Sequence, residues 1–252
     1  FVPGKAGKTF QSHNPATEEV IRAVHEALEE DVNLAVDAAQ KAFPAWSNLN
    51  AHERAAPMFR LAQLIQSHAQ ELAELDSVCM GKYVTRGTAQ KMDIPGCADV
   101  FNYFAGSAYH VLGGSSFNSA NFLNVTVRQP YGVVPLIMFA LEAAPALICG
   151  NTIVLKSSEK APLTSLKLAS LTKEAGFPPG VVNVVSGFGL PTGTTMALHM
   201  KSRKISFTGS VATGKKIMNM AADSNLKNVS LELGGKSPAL VFEDADTSLH
   251  WH

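Results

Sequence analysis

The sequence predicts an α/β protein, a parallel sheet with helices on both faces preceded by an N-terminal helical region. Three observations predict it. From residue 131 onward, short runs rich in Val, Ile and Leu alternate with helical patterns, as parallel strands joined by crossover helices do. Before residue 110 the apolar residues recur instead every three or four positions, the spacing of amphipathic helices. The chain has 252 residues, 46% of them hydrophobic, enough to bury one large core or two small ones.

Taken in order, residues 8–28 are expected to form short strands around a turn at Asn14-Pro15, with Val20, Ile21 and Val24 supplying β-branched faces. From Glu30, the residues Val32, Val36, Ala39 and Phe43 keep helical spacing up to a stop before Pro44. Asn50 with Glu53 three residues on resembles a capping box, although Pro57 could move the regular start of that helix. Its apolar stripe runs from Met58 to Val78 and stops at Gly81. A further helix over about 88–108 is expected to bend at Pro95-Gly96, with Phe101, Tyr103 and Phe104 as core aromatics. Phe122 to Arg128 alternates like a half-buried strand. The series then reads helix 135–149, strand 151–156, helix 162–175, strand 181–186, helix 191–200, strand 204–208, helix 211–222, and strands 228–233 and 238–242.

Composition excludes several classes of function. With 21 basic and 21 acidic residues, scattered without a basic face or interleaved aromatics, nucleic acid is not an expected partner. Tyr131 to Gly150 is apolar and near the length of a membrane span, but Pro135, Glu142 and Pro145 interrupt it, so it is read as a buried helix and no membrane is expected. Cys79, Cys97 and Cys149 are an odd number without metal spacing. They read as reduced core thiols of a cytoplasmic protein, with no metal site. The first residues, Phe-Val-Pro-Gly-Lys, are not expected to act as a signal peptide.

The chemistry centres on residues 204–242. A strand through Phe207 to Thr208, a Gly209-Ser210 turn and a helix offer free N–H groups and the positive end of a helix dipole, a ready phosphate site. Glu232 is the one acid in an otherwise apolar strand, so it is expected to find a partner or to have its pKa shifted upward, as a general base would. The strand 151–156 ends in Lys156-Ser157-Ser158-Glu159, where open α/β sheets place ligands. A carboxylate there would accept from a ribose diol and repel a 2′-phosphate; a solvated ion pair is the alternative. Ser186 to Gly193 has glycines at 187, 189 and 193, one position off the usual dinucleotide spacing.

Phe207-Thr208-Gly209-Ser210, followed by Leu231-Glu232-Leu233-Gly234-Gly235-Lys236-Ser237-Pro238, resembles the NAD(P)-dependent aldehyde dehydrogenase superfamily. The similarity runs from Asn14-Pro15-Ala16-Thr17 to Asp244-Ala245-Asp246. It implies a Rossmann-like NAD-binding region over 131–252 and, over 1–130, strands and helices packing on it, with a projecting strand near 120–129 used for subunit contact. It implies cofactor contacts at Lys156, Ser158, Glu159, Gly189, Gly193, Phe207, Gly209, Ser210, Gly214, Leu233 and Gly234, with NAD preferred over NADP because of Glu159. Glu232 would be the general base that activates water against a thioester.

Two departures from the family shape the functional expectation. The family's nucleophilic Cys lies beyond the Leu-Glu-Leu-Gly-Gly run, and none of Cys79, Cys97 and Cys149 matches it. The catalytic domain is therefore read as absent. Tyr131-Gly132-Val133-Val134 runs directly into Pro135-Leu136-Ile137-Met138, where the family has a further strand and a Pro-Trp-Asn loop. This reads as an internal deletion that removes the oxyanion Asn, a donor worth roughly two or three orders of magnitude in rate. The family reaction is NAD-dependent oxidation of a small aldehyde, and this chain is expected to be truncated and inactive alone. The alternatives are a non-catalytic NAD-binding partner of intact relatives and a functionless fragment. The sheet edge from Glu232 to Phe242 is expected to lie uncovered and to invite association, and a homo-oligomer is left open.

Overall fold

The computed structural model describes residues 2–84, 89–238 and 240–245. The chain opens on β1 (Thr9–His13) and β2 (Val20–His25), an antiparallel pair closed by a turn in which Glu18 takes a left-handed conformation. The predicted helices follow with shifted ends. The first, α1, spans Glu29–Ser47 and passes through Pro44 rather than stopping before it. The next, α2, spans Ala51–Ser67 and carries Pro57 in its buried face. The Asn50 N–H donates to Glu53 at 2.7 Å, so the capping box sets the start at Ala51 and not at Pro57. The apolar stripe read as one helix breaks at His68, and α3 (Ala69–Met80) ends at Gly81, whose φ of 74° favours glycine.

A π-type turn, Ala89–Asp93, leads into α4 (Ile94–Gly106), where Pro95 sits in the first turn; there the missing N–H costs nothing, so it starts the helix rather than bending it. The hairpin of β3 (Gly114–Ser119) and β4 (Phe122–Thr126) is exposed at every position. The half-buried strand expected there is thus bare on both faces, and its partner β3 carries too little apolar alternation to be read from sequence.

Residues 131–150 depart most from expectation. The predicted helix 135–149 begins as strand: β5 (Val133–Leu136) is wholly buried, Ile137 and Met138 form the connection, and α5 covers Phe139–Ile148. The short strand borrows Pro135 and Leu136, so a turn of helix gives way to two further parallel pairs with β6 (Thr152–Ser157). The pattern then settles into α6 (Pro162–Glu174), β7 (Val182–Ser186), a π-type turn (Gly189–Gly193), α7 (Thr194–Leu198), β8 (Lys204–Gly209), α8 (Val211–Asp223) and β9 (Asn228–Leu233). Residues 238 and 240–242 form no strand, and Leu240, Val241 and Phe242 are exposed.

The sheet is parallel throughout this half, with β5, β6 and β7 side by side and β8 paired with β9. One bridge, Val133 to Ser202, sets β8 beside β5. Alternation along the strands splits the core. Val134, Leu136, Ile153 and Leu155 pack with α2, α4 and α5 on one face, while Val133, Val154 and Val185 pack with α1 and Met196 on the other. Ile205 and Phe207 pack under α8 in a third cluster with Ala197 and Ile217. The larger cluster joins residues before and after 130, and Trp46 Nε1 donates to Leu147 O at 3.1 Å across that join.

Candidate cofactor site

Lys156 is the best-anchored of the predicted residues. It is buried at the end of β6, where its Nζ donates to the carbonyls of Ser157 at 2.8 Å and Gly187 at 2.6 Å. Glu159 approaches it to 3.6 Å and stays about one-third exposed. Burial pushes the Lys156 ammonium below the usual lysine range, and the Glu159 charge opposes that shift. The alkyl stem of Lys156 lies 3.7 Å from where a side chain at Gly193 would begin, so β6, the end of β7 and the 189–193 turn meet on this lysine. Ser158 is exposed, and its hydroxyl accepts the Lys160 N–H at 3.2 Å. Gly189 is exposed with open space around it.

A second group forms where β8 and β9 end. Phe207 is buried, and its ring leaves no room at Gly209: a Cβ there would lie 2.7 Å from the ring edge. Ser210 caps α8, accepting the Thr213 N–H at 3.2 Å. Exposed Val211 and Ala212 precede that bond in the first turn, where helix N–H groups lack intrahelical partners. Gly214 sits under β9, a Cβ there reaching Leu233 Cδ2 at 2.9 Å.

The parallel register sets Thr208 opposite Glu232 and Gly209 opposite Leu233. Glu232 is exposed and has no hydrogen-bond or ionic partner among the described residues. The expected partner is not found: β9 has no further strand beside it among the described residues, so water reaches the carboxylate. Gly234 and Gly235 continue exposed beyond it.

The two groups occupy the carboxyl ends of strands on either side of β5, and no bond joins them. A groove of about 1660 Å³ gathers Gly209, Glu232, Leu233 and Gly234 but not Lys156, Ser158, Glu159, Gly189, Gly193 or Ser210. It lies over the polar face of β8 and β9, formed by Lys204, Ser206, Thr208, Ser230 and Glu232, and is walled by α5 and the base of the exposed hairpin. Cys149 also lines it, but burial raises its thiol pKa, against the pull of Arg54 and Arg128. Burial raises the Cys79 thiol as well, and Cys97 is pushed up to about 12.

The sequence reading missed Glu142. Its carboxylate accepts the N–H groups of Ile137 at 2.8 Å and Met138 at 2.9 Å, and the Thr208 hydroxyl at 3.0 Å. It therefore closes the β5–α5 connection and ties it to β8. The available signal was an acid four residues into an apolar run, in the first turns of a helix, where carboxylates serve exposed N–H groups.

This is a parallel α/β fold with a glycine-serine turn on a helix N-terminus after β8 and a Lys–Glu pair at the end of β6. The chain belongs to the aldehyde dehydrogenase family, whose model matches residues 1–251. A mitochondrial family 2 member B4 of Arabidopsis thaliana is 47% identical over 98% of this chain and 47% of its own. A mitochondrial aldehyde dehydrogenase of Leishmania tarentolae is 45% identical over 98% of this chain and 51% of its own. The NAD+ complex of an aldehyde dehydrogenase from Bacillus cereus superposes with a TM-score of 0.91 at 43% identity, covering 98% of this chain and 52% of that one. The chain spans about half the length of the curated relatives it matches. The Arabidopsis alignment runs over 257 positions, more than the whole chain, so that relative has residues with no counterpart here. No helix among the described residues is long and apolar enough to cross a membrane, and none of them form a metal cluster.

Proposed function

We propose that this chain binds NAD through its 131–252 region, as the cofactor-binding part of an aldehyde dehydrogenase. The observation that carries this reading is the pair of strand ends: Lys156 held 3.6 Å from Glu159 after β6, and Gly209-Ser210 capping α8 after β8. When bound, the nicotinamide supplies a hydride acceptor. Glu159, partly exposed and oriented by a buried lysine, would accept from the ribose diol and disfavour a 2′-phosphate, which selects NAD over NADP. The first turn of α8 would receive a phosphate on its free N–H groups. Gly209 has no space for a side chain beside Phe207, which lets the backbone come close to the ligand.

Oxidation of an aldehyde by the family route needs a thiolate. The 252 residues contain three cysteines, and burial raises the pKa of all three, which favours the unreactive thiol. These residues by themselves therefore bind cofactor without turning over aldehyde, and Glu232, exposed in the groove, would serve as water-activating base only beside a nucleophile from elsewhere. The exposed Leu240, Val241 and Phe242 beyond β9 and the bare β3–β4 hairpin supply surface for association with another chain.

Calorimetric titration with NAD tests the reading. Saturable binding, weakened by Glu159→Ala and weaker for NADP, is the expected result; absence of saturable binding overturns it. Formation of NADH from propanal by the purified chain would overturn the inactive half.

A further inference from the structure

We infer that Glu142 is a positioning residue for the nucleotide turn, holding Gly209-Ser210 in place through the Thr208 hydroxyl. The inference rests on the reading of that turn as part of a cofactor site. The single carboxylate joins two places that the backbone barely joins, the β5–α5 connection and the end of β8. One oxygen, Oε2, takes both N–H groups of the β5–α5 connection, Ile137 and Met138. The other, Oε1, takes the hydroxyl of Thr208, the residue before Gly209.

The sheet itself gives this end of β8 little support from β5. Arg203 N–H donates to Val133 O at 3.1 Å beside the Val133–Ser202 bridge. In a parallel ladder the next N–H of β5 toward β8 would come from residue 135. That residue is Pro135, which has none. Beyond the bridge, the Glu142–Thr208 bond is therefore the polar tie between the carboxyl ends of β5 and β8 among the described residues. Both residues line the same groove and are partly buried, where a charge-assisted bond is stronger than in open water.

Two readouts on the intact 252-residue chain test this. Hydrogen exchange followed by mass spectrometry reports the turn without any ligand, and NAD titration reports its use. Glu142→Ala is expected to speed exchange over residues 209–213 and to weaken NAD by about three- to tenfold, since it removes the bond from Thr208 along with the two from Ile137 and Met138. Glu142→Gln can accept from Ile137 and Met138 while donating to Thr208, and should stay within about twofold of the parent. Thr208→Val should reproduce both effects of the alanine variant while leaving the α5 cap intact, and it carries the test if Glu142→Ala does not fold. Unchanged exchange over the turn in Thr208→Val overturns the inference. So does faster exchange with an unchanged NAD affinity. If the parent chain binds no NAD, the cofactor reading fails, and the exchange measurement still decides whether Glu142 holds the turn.

Discussion

Lys156 Nζ donates to the Gly187 carbonyl at 2.6 Å, joining the end of β6 to the turn after β7 through a buried cation. A second bond to Ser157 O and the nearby Glu159 carboxylate complete its surroundings. Lys156→Met keeps the stem and removes the charge, leaving two carbonyls without their donor. The expected cost is about 1–3 kcal/mol of folding stability, read from urea unfolding, together with loss of NAD binding. An unchanged urea midpoint would show that water replaces the ammonium.

Two glycines beside the β8–β9 ends should respond differently to alanine. At Gly209 the new methyl meets the ring of buried Phe207 at 2.7 Å. Overpacking of this kind costs about 1–3 kcal/mol, and Phe207→Leu should recover part of it. At Gly214 the methyl meets Leu233 Cδ2 at 2.9 Å, but Leu233 is 36% exposed and can swing away. The gain of about 1 kcal/mol for replacing a helical glycine then offsets the contact, and thermal unfolding of Gly214→Ala should match the parent.

Pro135 occupies a buried strand position where an N–H would extend the ladder to β8. Pro135→Val should restore that donor and add about 0.5–1.5 kcal/mol. The check is a higher urea midpoint with slower amide exchange at the end of β8. A lower midpoint would mean that β5 and β8 diverge too far to pair.

Cys97 sets an alkaline limit. Burial raises its thiol from 9.0 to about 12, so the folded chain keeps the proton that the unfolded chain releases. Its contribution is fully present below pH 9.0 and is lost as pH rises toward about 12, at up to about 1.4 kcal/mol per pH unit. Stability measured against pH should fall across that window, and Cys97→Ala should flatten the fall.

Much of this protein was legible in its residues alone. The strands β6 to β9 and the helices between them emerge from apolar runs punctuated by Gly, Pro and Ser, because each strand buries both faces or one face and each helix one stripe. Asn50 with Glu53, and Gly81, mark helix ends through bonds within a few residues of themselves, so sequence suffices there. Lys156 falls at the end of β6 and Glu159 just beyond it for the same local reason.

What sequence could not decide depends on who stands next to whom. Whether Pro135-Leu136 becomes strand or helix is settled by the parallel partner Val154-Leu155 on β6, which local propensity does not see. Glu232 stands in an apolar strand that calls for a partner, yet it is exposed and unpaired because β9 has no strand beyond it among the described residues. Glu142 looked like an interruption in an apolar helix, and only the packing of α5 beside β8 brings it to the Thr208 hydroxyl. Local bonds and periodicities are written along the chain, whereas solvent access and cross-strand partners exist only after distant segments meet, and the tertiary structure alone decides those.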